Sequence, residues 1–224
     1  NNEQFHQNFG EIQRHISALG NSGKIQLYVA NALFVDRSFH IKDDYATKSN
    51  AFYKTEIQQV DMRLKSAVTT INQWIEHKTR GYVKNFLPDV PLDHSPMLLV
   101  NSIYFYGEWL VSFTPTLTIK EQFSDARGNH VLVPMMNMRE WKAGSGTGFR
   151  YAEDAYAQVL ELPYRGDQVS MVIILPNGYS NITALRQRLN AKVIEQYEQK
   201  LAAPDLPLNI KIPKWKLTKE YSLN

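Results

Sequence analysis

Cysteine is absent from all 224 residues. That excludes disulfides, thiol catalysis and cysteine-based metal sites, but leaves the compartment open. Long apolar runs are also missing. No stretch approaches the length of a membrane-spanning helix, and no charged-then-apolar leader opens the chain. It starts with Asn1-Asn2-Glu3 rather than Met, so its natural beginning is expected elsewhere. Neither sign of charge dominates: Lys and Arg number 25 against 22 Asp and Glu, a net charge of +3. Such a balance is too mild to make nucleic acid or a membrane the main partner.

Catalytic patterns are scarce too. The six histidines (His6, His15, His40, His77, His94 and His130) are scattered, with no His-Glu-x-x-His and no pair four apart, so no metal site and no cofactor are expected. Gly144-Ser145-Gly146-Thr147-Gly148 lacks the Gly-Lys-Ser/Thr ending of a phosphate loop and precedes an aromatic strand, Phe149-Arg150-Tyr151. It reads as a link between strands. No Gly-x-Ser-x-Gly elbow is present. Asp43-Asp44 and Glu153-Asp154 sit at element ends and read as cap or surface charges. Nothing here marks an enzyme. Lys211, Lys214, Lys216 and Lys219 near the end, and Arg14, His15 and Lys24 near the start, are too sparse for a strong polyanion stripe.

What is present is enough apolar material for one large domain or most of one: 43% of residues are hydrophobic. Met97 to Trp109 is the densest stretch. Its apolar run reads as a strand covered on both faces near the middle of a large sheet. Asn101 and Ser102 interrupt that run, and an unpaired buried amide costs about 1–3 kcal/mol. Asn101 therefore requires polar partners on neighbouring elements, either as an ordinary satisfied amide or as a functional seam.

Phe5, Phe9, Ile12, Ile16 and Leu19 step by four and three, an amphipathic helix closed by Gly20. Strands are expected over Ile25–Val35 and Thr55–Val60, with a short helix over Ile41–Tyr53 between them. Val68, Ile71, Trp74 and Ile75 mark a second clear helix ending near Thr79-Arg80-Gly81. Gly81 to Pro96 holds three prolines and no period, a long connector. Further strands are expected over Val131–Met138, Gln158–Leu162 and Val169–Leu175, the last two joined by the turn Pro163–Asp167. One long or two short helices follow, through Ile182, Leu185, Leu189, Ile194, Tyr197 and Leu201. The last strand, Leu208–Leu217, changes phase at Pro213, where a bend or bulge is expected. The sequon Asn181-Ile182-Thr183 is a candidate glycosylation site.

Asn101-Ser102-Ile103-Tyr104-Phe105-Tyr106-Gly107-Glu108-Trp109 resembles the signature of the serpins. Tyr106 stands where that family usually has Lys, and Ser102 where it usually has Ala. Ala30-Asn31-Ala32-Leu33-Phe34 resembles a main-sheet strand. Ile71 to Ile75 followed by Thr79-Arg80-Gly81 resembles the helix across that sheet, with Tyr82 replacing the usual Lys. Met135-Met136, Leu160 to Gly166, Ser170 to Pro176 and Ile212-Pro213-Lys214-Trp215 resemble further serpin hallmarks in the required order.

The resemblance implies an α+β chain with the serpin fold: a large mixed main sheet with overlying helices and smaller sheets, as a single domain over residues 1–224. Compared with a serpin, the first helices and everything after Asn224, the reactive-centre loop included, are absent. It implies a non-enzymatic, metastable inhibitor of a protease, most often a serine protease, whose cleaved loop inserts as a strand into the main sheet. A non-inhibitory serpin acting as carrier, storage protein or chaperone is the alternative. Asn101, Ser102 and Asn72 would form the shutter where strands part. Trp109 and Lys214 would belong to the breach where insertion begins. Partners implied are the target protease and a companion chain or segment completing the sheet, with a polyanion such as heparin less favoured. The family and the sequon together point to a secreted glycoprotein and leave an intracellular location open.

Overall fold

The computed structural model describes residues 2–20, 22, 24–92, 95–125, 127–141, 148–178, 182–204 and 207–216. Asn181, His94, Lys219, Leu217 and the segment 144–147 lie outside them. The chain is α+β, and its contacts divide it into two compact units, Asn1–Gly107 and Glu108–Asn224.

The first unit holds helices α1 (Asn2–Gly20), α2 (Asp43–Tyr53) and α3 (Lys65–Lys78), with strands β1 (Ile25–Asp36), β2 (Thr55–Val60) and β3 (Met97–Gly107). The strands form one mixed sheet in the order β2-β1-β3, with β1 parallel to β2 and antiparallel to β3. In α3 the apolar spacing does what it promised. Ala67, Val68, Ile71, Trp74 and Ile75 are buried, and most of them join Ala32 and Phe34 of β1, Val60 of β2 and Met62 in one core. Ile71 and Phe34 are fully buried, and each such side chain stabilises the fold by about 1.5–3 kcal/mol. The connector after α3 is irregular, yet its Val83, Leu87 and Leu92 pack on the same core.

Two expectations need correction in this unit. The stretch through Asn101 is an edge strand: among the described residues only β1 pairs with it. One of its faces is open, with Leu99 70% and Ile103 64% exposed. An apolar run records that a strand is built to be covered, not which neighbours cover it. In α1 the buried face is turned away from Phe5 and Ile12, both exposed, and towards His6, Phe9, Gly10 and Gln13. His6 Nδ1 lies 2.6 Å from the Tyr53 hydroxyl, and Phe9 packs on the Tyr53 ring at 4.8 Å. Gly20 ends the helix as expected, for a different reason. A Cβ there would lie 2.1 Å from the Leu27 carbonyl oxygen, so the close approach of α1 to β1 requires glycine.

The second unit holds two antiparallel sheets, β4-β5-β9 and β6-β7-β8. Their strands are β4 (Ile119–Ser124), β5 (His130–Trp141), β6 (Arg150–Glu153), β7 (Ala157–Pro163), β8 (Ser170–Pro176) and β9 (Leu208–Pro213). Two short helices, α4 (Ile182–Arg188) and α5 (Ala191–Lys200), follow β8. Leu185 and Tyr197 from them close a core over Ala152, Ala157 and Val159. The β7–β8 turn uses Gly166 at φ 98° and Asp167 at φ 54°, the left-handed conformation that suits glycine and tolerates aspartate. Pro213 does not bulge the last strand: it stays in register opposite Met135, and β9 ends there. The register shift lies at the other end, between Met138 and Trp141 of β5, and Trp215 beyond the strand is 61% exposed.

Candidate functional site: the free edge of β3

Alternation along β3 sends Leu98, Val100, Ser102 and Tyr104 to one face and Met97, Leu99, Asn101, Ile103 and Phe105 to the other. Leu98 and Val100 pack on the core beneath α3. The antiparallel ladder to β1 runs from Met97 opposite Val35 to Gly107 opposite Ile25. No described strand occupies the far edge of β3. Along that edge a groove of about 220 Å³ is lined by Ile75 of α3, Thr79 just past its end, Val83 and Phe86 of the connector, and Val100 to Ile103 of β3. An open row of main-chain donors and acceptors beside an apolar groove is a template for another strand.

The polar partners required for Asn101 are present. Its Nδ2 donates to Asn31 Oδ1 at 2.7 Å and lies 3.5 Å from the Ala30 carbonyl. Asn31 Nδ2 in turn donates to the Tyr53 carbonyl at 2.8 Å. Asn31 and Asn101 are directly opposed in the ladder, so an amide relay runs from β3 across β1 to the end of α2. The strand motif Ala30–Phe34 contains Asn31 without naming it as this partner. The signal available was a matching asparagine inside each of two apolar strands.

Asn72 is not brought to Asn101. It sits on α3, over the opposite face of the sheet, and clasps the connector. Its Nδ2 donates to the Leu87 carbonyl at 3.0 Å, and its Oδ1 accepts from the Leu87 N–H at 2.9 Å. Thr79 continues that work at the helix end: its Oγ1 donates to the Ile75 carbonyl at 2.8 Å and accepts from the Val83 N–H at 3.1 Å. Ser102 is buried at 6% exposure, and its Oγ meets no partner among the described residues. On β2, Glu56 accepts hydrogen bonds from Trp74 Nε1 and Lys78 Nζ of α3. Desolvation pushes its carboxyl up, yet those two hydrogen bonds and the Lys78 charge win and hold it below its ordinary value.

Trp109 and Lys214 belong to the second unit. Trp109 stacks on Tyr164 with ring centroids 4.5 Å apart and planes 14° from parallel. Flanking backbone bonds, Leu110 N–H to Pro163 and Arg165 N–H to Glu108, fasten the same strip. Burial pushes the Tyr164 phenol up. Lys214 donates its backbone N–H to Pro134 at 2.8 Å just past β9, and its side chain is exposed. Of the other basic residues, Lys211 pairs with Glu121 and Arg14 with Glu11, which thins any polyanion stripe further. The paired carboxylates are structural: Asp44 pairs with Lys48 in α2 at 2.9 Å, and Asp154 holds the β6–β7 turn through the Tyr156 and Ala157 N–H groups.

Comparison with known proteins gives one consistent result. A family model described as "Serpin (serine protease inhibitor)" matches residues 1–224. The chain is 32% identical to human Serpin B11 over 201 residues, 88% of this chain and 50% of that protein. It is also 32% identical to sheep antithrombin-III over 225 residues, 99% of this chain and 46% of that one. Among solved structures, reaction loop cleaved lamprey angiotensinogen superposes with a TM-score of 0.82 at 24% identity, covering 95% of this chain and 62% of that one. This last likeness concerns the fold. The chain spans about half the length of the curated relatives it matches.

Proposed function

The chain belongs to the serpin family and has its fold, and on that premise we propose that the whole protein is a protease inhibitor acting by loop cleavage and strand insertion. The target is a serine protease. The observation that supports this reading is the edge of β3 that no described strand pairs, with its groove beside α3. A strand entering there gains main-chain hydrogen bonds along β3 and covers Val100, Ile75 and Val83. Each such net hydrogen bond contributes about 0.5–1.5 kcal/mol and each newly buried methylene about 0.8 kcal/mol. Summed over a strand, these contributions favour the inserted state.

In this reading the 1–224 chain is part of a single serpin-like domain. The Asn101–Asn31 pair holds β3 to β1 so that the two move as one body. Ser102 lines the slot, and Asn72 fixes the connector that roofs it. Trp109 and Lys214 serve the breach, where Lys214 meets an acidic residue at the base of the loop. The protein works outside the cell, with Asn181 as the glycan site.

A second reading, a carrier serpin, is favoured by one observation in the second unit. Phe123, Leu175, Pro176 and Ile182 line a mostly apolar cavity of about 610 Å³. Incubating the intact protein with a panel of serine proteases separates the two. Covalent complexes that survive SDS support inhibition. Loop cleavage with no such complex and no gain in heat stability refutes it and leaves the carrier.

A further inference from the structure

Three tyrosines and one arginine gather where α3 ends above β3. Arg80 at φ 53° and Gly81 at φ 79° turn the chain sharply, so that Tyr82 lies over the sheet and donates its backbone N–H to the Thr79 carbonyl. The Tyr82 ring then meets Tyr104 of β3 with centroids 5.4 Å apart and planes inclined by 35°. Desolvation, and after it the neighbouring Tyr82 phenol, push the Tyr104 phenol up. Tyr104 is backed by Tyr28 at 6.1 Å, and the Arg80 guanidinium covers Tyr28 at 4.6 Å. Tyr104 is therefore held in place, while Tyr82 is 74% exposed to solvent.

We propose that Tyr82 and Tyr104 form an oxidative staple, joined ring to ring as dityrosine by a haem peroxidase using hydrogen peroxide. Each phenol loses one electron and its hydroxyl proton, giving two phenoxyl radicals. An ortho carbon of one ring bonds to an ortho carbon of the other. Each ring then regains aromaticity as its displaced ortho hydrogen moves to oxygen. The peroxide is reduced to two waters, and the chain loses two hydrogen atoms. The ring contact at 5.4 Å holds the two phenols against each other. The chain contains no cysteine, so no thiol of its own drains the radicals.

The staple fastens the connector to β3 one residue before Val83, which lines the groove together with Phe86. If the inhibitory reading holds, the bond would keep that roof closed and block strand entry; the staple itself is independent of that reading.

The test is chemical and needs no protease. The folded protein is treated with a haem peroxidase and equimolar hydrogen peroxide, digested with trypsin, and searched for a pair of peptides carrying Tyr82 and Tyr104 joined with loss of two hydrogens. That pair should form in the native protein, and should vanish in Tyr82→Phe, in Tyr104→Phe and in protein oxidised in urea. Absence of the pair from native protein, equal yield in urea, or persistence in Tyr104→Phe overturns the proposal.

Discussion

Replacing Asn72 by alanine removes both hydrogen bonds that clasp Leu87, at 3.0 and 2.9 Å. The Leu87 N–H and C=O then lose their partner in a half-buried place, where an unmet polar group costs about 1–3 kcal/mol. Val83, Leu87 and Leu92 keep their packing on the α3 core, so the connector should open locally while the sheet stays folded. A local penalty of that size speeds amide exchange at Leu87 by roughly 5- to 150-fold. Hydrogen–deuterium exchange on peptides covering residues 83–92, with β1 peptides as the internal control, measures it. Asn72→Asp keeps the acceptor for the Leu87 N–H and loses the donor, so it should fall between wild type and alanine. Unchanged exchange at Leu87 would refute the clasp. Acceleration spread equally into β1 would show that Asn72 supports the whole unit instead.

Other consequences follow from neighbouring groups. Asn101→Ala leaves Asn31 Oδ1 without its donor; because the pair is exposed, the loss should be about 0.5–1.5 kcal/mol in urea unfolding. It should loosen β3 from β1 rather than widen the slot, so exchange rising in the 98–103 ladder supports the placement and an unaltered ladder contradicts it. Asp36 is held at about 2, against its ordinary 3.8, first by the Ser38 hydroxyl and then by the Ser38 and Met62 N–H groups. Its stabilising contribution is thus complete above the unfolded value and is lost as pH falls through about 2. Urea midpoints across that acid range should drop more steeply for wild type than for Asp36→Asn, and parallel curves would exclude Asp36 as the cause. Gly20→Ala places a methyl against the Leu27 carbonyl at 2.1 Å. Backbone on both sides must shift, at a cost of about 1–3 kcal/mol, which a lowered unfolding midpoint would register and an unchanged one would rule out.

The order of helices and strands was written in the sequence because local pattern suffices for it. The 3.6-residue spacing of Val68, Ile71 and Ile75 makes α3, and the apolar runs on each side of Pro163–Asp167 make the β7–β8 hairpin. The family was legible for a related reason: motifs such as Asn101 to Trp109 carry their identity in consecutive residues. What the spacing could not say is how far an element turns about its own axis. The stripe of α1 holds Phe5 and Ile12, yet the face that meets β1 and α2 is set by Gly10, Gly20 and the Tyr53 ring. Nor could it say who stands beside whom across dozens of residues. Asn101 needs Asn31, Asn72 needs Leu87, and Tyr82 finds Tyr104, and each pairing is fixed by strand register or by the path of an irregular connector. Local chemistry chose the elements; only their packing, which decides the neighbours of every polar group and leaves one edge of β3 unpaired among the described residues, made a site from them.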